Sequence, residues 1–229
     1  KGHRNMGINI AIDGPGGVGK STVARAAAKQ LGFIYVDTGA IYRAIGLKFV
    51  RTGKSFTNEN IISVLPGTEL SLTHIDGEQH IIIDGEDVSS LIRTQEISSA
   101  ASKVSAVPEV RAFLLDLQRD IARKNNVIMD GRDVGTVILP NAEVKIFLTA
   151  NVEVRARRRH RELMAKGLET PDTFERVLKE VAERDKADSE RATAPLKPAE
   201  DAVLVDTSDM DFEQSVQTVI NIIRRKVNV

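Results

Sequence analysis

A glycine-rich segment near the amino-terminal end constrains this chain more than any other feature. It reads Gly14-Pro15-Gly16-Gly17-Val18-Gly19-Lys20-Ser21. An apolar run typical of a buried strand, residues 8–13, precedes it, and a run rich in helix formers, residues 19–31, follows it. The pattern G-x-x-x-x-G-K-S between a strand and a helix predicts a loop whose backbone N–H groups surround a phosphate. A chance glycine-rich turn would not account for both flanking elements.

The residue types of this loop suit a nucleoside triphosphate. Glycine lets the backbone approach a phosphate without a Cβ atom in the way, and the start of the helix adds unpaired N–H groups. We expect Lys20 to place its ammonium on the β and γ phosphates and the Ser21 hydroxyl to bind Mg²⁺. We expect Thr22 to face the α phosphate. The loop therefore predicts binding of a purine nucleoside triphosphate with Mg²⁺, but it does not say which reaction follows.

The rest of the chain predicts an α/β body. Short apolar or β-branched runs predict five strands, at residues 8–13, 33–37, 126–130, 144–149 and 202–206. Helix-forming runs predict helices at about residues 19–31, 39–51, 94–105, 108–124, 152–166, 172–187 and 211–227. Because strands and helices alternate, we expect a five-stranded parallel sheet flanked by helices.

The middle of the chain shows a different pattern. Residues 69–74, 79–84 and 86–88 alternate like strands, and they are separated by Asp76-Gly77 and Asp84-Gly85. Asp-Gly between two such runs predicts a tight hairpin. We therefore expect a small antiparallel sheet, from about residue 66 to residue 92, inserted in the α/β body.

The composition excludes several classes of protein. The chain has 229 residues, with 32 Lys or Arg and 32 Asp or Glu, and this zero net charge argues against a protein that coats nucleic acid or an anionic membrane. Cysteine is absent and the four histidines are scattered, so we expect neither disulfides nor a thiolate or histidine metal site. No run of about 18 apolar residues predicts a membrane span. We expect a cytoplasmic monomer without nucleic-acid or membrane partners, with residues 1–5 a tag remnant or disordered tail.

Arginine is frequent where strands are predicted to end. Five arginines are expected to border the carboxyl edge of the sheet, where open parallel sheets bind ligands: Arg43, Arg111, Arg132, Arg184 and Arg191. Converging guanidinium groups suit phosphoryl transfer between two nucleotides, because the donor and acceptor phosphates repel each other. On spacing alone, each arginine fits a surface ion pair equally well. The Asn-Lys-x-Asp motif of a guanine-nucleotide switch is absent from the sequence.

Six segments carry a resemblance to one family. They are IAIDGPGGVGKST (10–22), DTGAIYR (37–43), GEDVSSLIRTQEISSAASKVSAVPEVR (85–111), DGRDVGTVILPNAEVKIFL (130–148), ERDKADSERATAPL (183–196) and AVLVDTS (202–208). The sequence resembles the bacterial cytidylate kinases of the nucleoside monophosphate kinase group. The resemblance implies a P-loop kinase fold and transfer of the ATP γ-phosphate to CMP or dCMP. It also implies a core of residues 6–37, 126–150 and 200–229, a monophosphate-binding region of residues 38–125, and a helical lid of about residues 151–190.

The resemblance further implies roles for single residues. Residues 14–22 look like the ATP-binding loop. Three arginines look like the groups that hold the acceptor phosphate: Arg43, Arg132 and Arg191. Three residues look like the set that reads cytosine: Ser102, Arg111 and Asp133. Arg184 and Asp188 resemble the pair on the sugar hydroxyls, and Thr38 resembles a hydroxyl that reaches the monophosphate site.

Elementary chemistry agrees with a cytosine site. A carboxylate such as Asp133 can accept the N4 amino group of cytosine, and a guanidinium such as Arg111 can serve its N3 and O2 acceptors. Uracil carries an oxygen in place of the amino group, so it would set an acceptor against the carboxylate. Without the resemblance, an N-cap or turn role for Asp133 stays open.

The predicted lid carries a cluster of arginines in one helix: Arg155, Arg157, Arg158, Arg159 and Arg161. A solvated helix face or a nucleic-acid patch would also account for them, although the 4% aromatic content offers few stacking platforms for bases. We expect Arg155 and Arg159, or Arg158, to close onto the ATP phosphates and to exclude water.

Two further questions stay open at the level of sequence. Asp130 ends a predicted strand and either holds Mg²⁺ through water or is a structural turn carboxylate. The chain could also phosphorylate another small acceptor such as UMP, or bind a nucleotide as a non-catalytic regulator. For the kinase, the residues expected to stabilise the transfer are Lys20, Arg132, Arg155, Arg159 and Arg191.

Overall fold

The computed structural model describes residues 7–229, so the expectation for residues 1–5 lies outside the described part. Its strands are β1 (Asn9–Asp13), β2 (Ile34–Asp37), β3 (Leu70–Ile75), β4 (Glu78–Ile83), β5 (Glu86–Asp87), β6 (Val127–Gly131), β7 (Val144–Thr149) and β8 (Val203–Asp206). Five of them form a parallel sheet in the order β2-β6-β1-β7-β8. The predicted α/β fold with a five-stranded parallel sheet is confirmed.

Eight α-helices surround the two sheets in the described residues. They are α1 (Lys20–Leu31), α2 (Thr38–Val50), α3 (Asn58–Ile62), α4 (Gln95–Ser105), α5 (Pro108–Lys124), α6 (Val152–Ala165), α7 (Phe174–Glu190) and α8 (Phe212–Lys226). The short helix α3, a π-helical turn at Val134–Ile138 and a 3-10 turn at Pro171–Thr173 are additions to the predicted set. The bounds of the other helices differ from the predictions by three residues or fewer.

Alternating strand residues divide the core into two apolar layers. In β1, Ala11 belongs to a cluster with α2, α4 and α5, whereas Ile10 and Ile12 belong to a cluster with α1 and α8. Successive side chains of a strand point to opposite faces, so each face of the sheet is covered by its own helices. This leaves the carboxyl ends of the strands free to form a cleft.

The inserted sheet is antiparallel, in the order β3-β4-β5. Both of its turns have positive φ at two successive residues, at Asp76 (52°) and Gly77 (79°), and at Asp84 (50°) and Gly85 (82°). Such pairs match the right-handed twist of a hairpin. The predicted antiparallel insert is therefore confirmed.

Candidate active site

A cleft of about 410 Å³ opens at the carboxyl edge of the parallel sheet. Its lining includes residues from the glycine-rich loop, from α2, α4 and α5, from the segment after β6, and from α6 and α7. Nine basic and six acidic side chains line it. The cleft brings together every residue that the sequence assigned to the acceptor: Thr38, Arg43, Ser102, Arg111, Arg132, Asp133, Arg184, Asp188 and Arg191.

The glycine-rich loop has the backbone geometry of an anion site. Gly17 and Gly19 have φ values of 76° and 84°, and a Cβ on Gly17 would lie 2.9 Å from the Arg155 carbonyl oxygen. The loop leads into α1, whose amino-terminal N–H groups receive no side-chain cap from the described residues. Unpaired N–H groups at the start of a helix attract anions. The predicted loop lines the cleft through Gly16, Gly17, Gly19, Lys20, Ser21 and Thr22, while Gly14, Pro15 and Val18 are buried beneath it.

Lys20 and Asp130 form the buried centre of the donor side. The Lys20 Nζ lies 4.0 Å from Asp130 Oδ2, and the hydroxyls of Ser21 and Tyr35 each donate to the Asp130 carboxylate at 2.8 Å. Burial and the charge of Arg132, opposed in part by neighbouring carboxylates, lower the pKa of Lys20 to about 8. Burial and the charge of Asp37 raise the pKa of Asp130 to about 6. Both groups are therefore poised to respond to a charged ligand.

The same residues suit a magnesium ion. Ser21 and Asp130 present hydroxyl and carboxylate oxygens, which are the hard ligands that Mg²⁺ prefers. Across residues 7–229, no three His, Asp or Glu side chains converge in a group that could hold a metal by themselves. A divalent ion in this cleft would therefore take its remaining ligands from phosphate and water.

Asp188 contacts two of the arginines that the sequence assigned to the acceptor phosphate, Arg132 and Arg191. The Arg132 Nε donates to Asp188 Oδ2 at 2.9 Å, and the Arg191 Nη1 lies 3.8 Å from Asp188 Oδ1. Burial favours the neutral acid, but the charge and hydrogen bond of Arg132 hold the pKa of Asp188 below its usual value. The Nη2 of Arg191 and the Nε of Arg184 are buried with no hydrogen-bond partner among the described residues. Such orphaned donors suit the oxygens of a bound ligand.

Arg111 and Asp133 form a buried ion pair, with Nη2 and Oδ2 2.5 Å apart. The Arg111 Nη1 donates to the Ser105 carbonyl at 2.9 Å, and the guanidinium lies 5.1 Å from the centre of the Tyr42 ring. Ser102 lines the cleft on the same helix as Ser105. The pair is therefore held in one orientation on the wall of the cleft.

Thr38 and Arg43 lie in the amino-terminal half of α2, which begins directly after β2. The Arg43 Nη1 lies 3.9 Å from Asp37 Oδ2. The Thr38 hydroxyl donates to the Asp130 carbonyl at 2.7 Å. A Cβ on Gly131 would lie 2.5 Å from this hydroxyl oxygen, so the contact requires glycine there. Thr38 thus ties the acceptor side to the end of β6.

The lid arginines separate into three environments. Arg155 is buried, and its guanidinium donates to the Gly16 carbonyl at 3.0 Å and to both carboxylate oxygens of Asp185. Arg158 donates to the carbonyls of Val18 (3.3 Å) and Thr207 (2.6 Å). Within this group only Arg159 lines the cleft, where it lies 3.2 Å from Glu162, while Arg157 and Arg161 are exposed. The predicted contact of Arg155 with ATP phosphate stays a prediction.

Two residues that support the cleft were not singled out from the sequence, Asp13 behind it and Ser98 in its lining. Asp13 accepts hydrogen bonds from the backbone N–H groups of Val134 and Gly135, both at 2.8 Å, and so holds the π-helical turn after Asp133. Burial raises the pKa of Asp13 to about 6. The Ser98 hydroxyl accepts from the Arg184 Nη1 at 3.0 Å. A carboxylate that ends β1 just before the loop is the one signal that could have pointed to Asp13.

Comparison with known proteins decides the family. The family model described as cytidylate kinase matches residues 10–225. This chain belongs to the cytidylate kinase family. A cytidylate kinase of Carboxydothermus hydrogenoformans is 52% identical, covering 97% of this chain and 100% of the relative. A cytidylate kinase of Caldanaerobacter subterraneus subsp. tengcongensis is 51% identical, covering 96% of each.

A solved structure supports the fold independently of sequence. An uncharacterized protein of Eubacterium ventriosum matches with a TM-score of 0.51 at 12% identity, covering 95% of this chain and 98% of the other. This match concerns the fold alone.

The family resemblance found in the sequence is confirmed, and the chain is an enzyme of the phosphotransferase class. Of the helices in the described part of the chain, none has the length and apolar character needed to cross a membrane.

Proposed function

We propose that this protein transfers the γ-phosphate of ATP to CMP or dCMP, giving ADP and CDP or dCDP. The observation that carries the proposal is a single cleft that contains both the anion-binding loop and the buried Arg111–Asp133 pair. The names of the cytidylate kinase relatives support the same acceptor. No feature of the described residues favours UMP as the acceptor or a non-catalytic role.

The reaction is a direct in-line transfer. An oxygen of the acceptor monophosphate attacks the γ phosphorus, and the bond from that phosphorus to the β–γ bridging oxygen breaks as ADP leaves. The acceptor is already an anion near neutral pH, so the step needs no strong general base. The protein therefore contributes position and positive charge.

Each end of the cleft has its own cations. Lys20 and the loop N–H groups hold the donor phosphates, and Arg159 faces them from the lid. Mg²⁺, held by Ser21 and through water by Asp130, would neutralise charge on the donor phosphates. The acceptor phosphate is held by Arg43, Arg132 and Arg191. Lid closure, with Arg155 expected to take part, excludes water as a competing acceptor.

The acceptor nucleoside is recognised by polar groups that are already fixed. Asp133 accepts from the N4 amino group, and Arg111 with Ser102 serves the remaining edge of the base. Arg184 and Asp188 bind the sugar hydroxyls, and Thr38 supports the monophosphate site. We further propose a cytoplasmic monomer without nucleic-acid or membrane partners, divided into core, monophosphate-binding region and lid at the boundaries given by the sequence.

A coupled assay that follows ADP release tests the proposal. ATP with Mg²⁺ is offered with a panel of acceptors: CMP, dCMP, UMP, shikimate and a nucleoside. We expect CMP and dCMP to be preferred. We expect Lys20→Ala to lose about 10²–10³-fold in kcat, the scale of one fixed transition-state contact. Preference for an acceptor outside the cytidine nucleotides, or a Lys20→Ala enzyme with near-native kcat, would contradict the proposal.

A further inference from the structure

The outer edge of β2 is paired with side chains. β2 is the first strand in the order of the parallel sheet, with β6 on its inner side. The N–H of Ile34 bonds to Asn126 on that inner side, so the backbone groups of Tyr35 and Asp37 face outward, because pairing alternates along a strand. Buried or half-buried backbone groups of this kind need partners.

Two side chains of the inserted sheet supply these partners. The His74 Nε2 donates to the Tyr35 carbonyl at 2.9 Å. The Gln79 carboxamide accepts from the Asp37 N–H at 3.0 Å and donates to the Asp37 carbonyl at 3.3 Å. A carboxamide holds one donor group and one acceptor, as a peptide unit does. At Asp37, Gln79 therefore makes the two hydrogen bonds that the backbone of a sixth strand would otherwise make.

Asp37 is the point at which β2 becomes α2. Its Oδ1 accepts from the Ala40 N–H at 3.0 Å, which caps α2, and its Oδ2 lies 3.9 Å from the Arg43 Nη1. Asp37 is only 7% exposed, and it lines the cleft beside Thr38 and Arg43. A displacement of Asp37 would therefore move the start of α2 and with it Arg43.

We infer that Gln79 is a positioning residue for the acceptor phosphate, and that the inserted sheet serves the acceptor side of the cleft through it. The inference rests on the proposed function, since the phosphate concerned is that of the monophosphate acceptor. The donor-loop carbonyls at Gly16 and Val18 accept from arginines of α6 and not from Gln79. The charge of Asp37 also acts on Asp130, but that charge is kept when Gln79 is lost. Loss of Gln79 should therefore affect the acceptor more than ATP.

Gln79→Met tests the inference, because it keeps the length of the side chain and removes both hydrogen bonds. We expect the KM for CMP to rise about 5- to 30-fold, the scale of two neutral hydrogen bonds, with the KM for ATP changed less than about twofold. Gln217→Met is the matched control, because Gln217 is exposed on α8 and bonds only within that helix. Calorimetry of CMP binding and a thermal melt accompany the kinetics.

The outcomes separate a positioning role from a merely structural one. A lower melting temperature with an unchanged KM for CMP overturns the inference, and so does an equal rise of both KM values. If Gln79→Met does not fold, Gln79→Asn gives the same comparison, because it keeps an uncharged carboxamide that is one methylene too short to reach both backbone groups of Asp37. If the wild-type protein prefers another acceptor, the proposed function fails, and Gln79 is then judged by the KM for that acceptor.

Discussion

Under the proposed function, Asp133 is the residue on which we expect the choice of base to depend. It is 3% exposed and its partner Arg111 is 8% exposed. The Asp13 carboxylate fixes the turn that follows Asp133. If this carboxylate reads the base as proposed, we expect it to disfavour uracil, whose O4 would leave a buried polar group unpaired.

Replacing Asp133 with asparagine should relax this discrimination. The amide keeps the shape of the side chain, and it can present either an acceptor to cytosine or a donor to the O4 of uracil. We expect the ratio of kcat/KM for CMP to that for UMP to fall by about tenfold or more in Asp133→Asn. The coupled assay with both acceptors measures the ratio.

Folding must be checked in the same variant. Removal of one partner of a buried ion pair costs about 3–5 kcal/mol, and Arg111 would keep its charge without a counter-ion. Chemical denaturation measures this cost separately from the kinetics. A folded Asp133→Asn enzyme with an unchanged CMP-to-UMP ratio would remove the carboxylate from base recognition.

The Lys20–Asp130 pair predicts a bell-shaped dependence on pH. The pKa of Lys20 is lowered to about 8, so the ammonium is lost as the pH rises through that value. The pKa of Asp130 is raised to about 6, so the carboxylate is lost as the pH falls through that value. We expect kcat/KM for ATP, which reports on the free enzyme, to decline on both sides of about pH 7. The apparent pKa values of the two limbs belong to the coupled Lys20–Asp130 pair and not to either residue alone.

The alkaline limb is the more diagnostic one, because the phosphates of ATP ionise on the acid side. Steady-state rates at saturating CMP and varied ATP, from about pH 5.5 to about pH 9.5, measure both limbs. A kcat/KM for ATP that stays constant to above pH 9 would show that Lys20 keeps an ordinary pKa or does not contribute.

The sequence alone predicted the residues that line the cleft better than the residues that hold those side chains in place. Arg132 and Arg191 were predicted because motifs and strand ends mark the cleft. Asp37 and Gln79 were not, because their contacts join positions 42 residues apart through a carboxamide and a backbone. Nothing in local spacing reports such a pairing, which exists only once the insert is folded against β2.

At the level of elements, α6 distributes its arginines over different surfaces. Arg155, Arg158 and Arg159 lie within one and a half turns, a spacing at which side chains of a helix can be neighbours. In the structure the first two support the outward carbonyls of the glycine-rich loop and the third lines the cleft. These hydrogen bonds fix the Gly16 and Val18 carbonyls, and they therefore help to set the orientation of the peptide groups in the loop.

Asp185 allows the two possible roles of Arg155 to be separated. If Arg155 supports the loop through its pairing with Asp185, Asp185→Asn should raise the KM for ATP nearly as much as Arg155→Ala. The double variant should then add little, because the two residues act as one unit. If Arg155 instead contacts ATP phosphate, Arg155→Ala should lose activity and Asp185→Asn should keep it.

The measurements are the KM for ATP, kcat, and ATP hydrolysis without an acceptor. Arg161→Ala is the matched control, because Arg161 is exposed on the same helix and donates to the Arg157 carbonyl within that helix. Arg159→Ala should lower kcat whichever role Arg155 has. Near-native turnover in both Arg155→Ala and Arg159→Ala would remove the lid arginines from the reaction.

The elements missed from the sequence have different physical causes. α3 has only five residues, too short for a periodic apolar face, and its Thr57 cap is a common turn residue as well. The π-helical turn Val134–Ile138 depends on the distant carboxylate of Asp13. By contrast, the hairpins were predicted because their Asp-Gly turns are encoded in two adjacent residues.

At the scale of the whole molecule, positive charge is concentrated in one place. The chain has zero net charge, yet the cleft is lined by nine basic and six acidic side chains. Clefts of one sign raise the local concentration of oppositely charged ligands, and salt screens the effect. The enzyme therefore has a field suited to two polyanionic substrates.

This distribution predicts a dependence on ionic strength. Raising KCl from about 0.05 M to about 0.5 M shortens the Debye length from about 14 Å to about 4 Å. We expect the KM for ATP and the KM for CMP both to rise, with kcat changed much less. Steady-state kinetics across the salt series, with the viscosity held constant, measure this. KM values that do not change with salt would show that long-range charge makes no contribution.

The two outer margins of the parallel sheet, at the edge strands β2 and β8, differ in how readily the backbone of another polypeptide could pair with them. The margin at β2 is partly closed, since Gln79 and His74 already bond to the Tyr35 carbonyl and to both backbone groups of Asp37. The margin at β8 pairs with β7 alone among the described strands, and Leu204 on it is 64% exposed. Self-association through backbone pairing would therefore begin at β8. Its length of four residues limits the bonds that an aggregating chain could gain there.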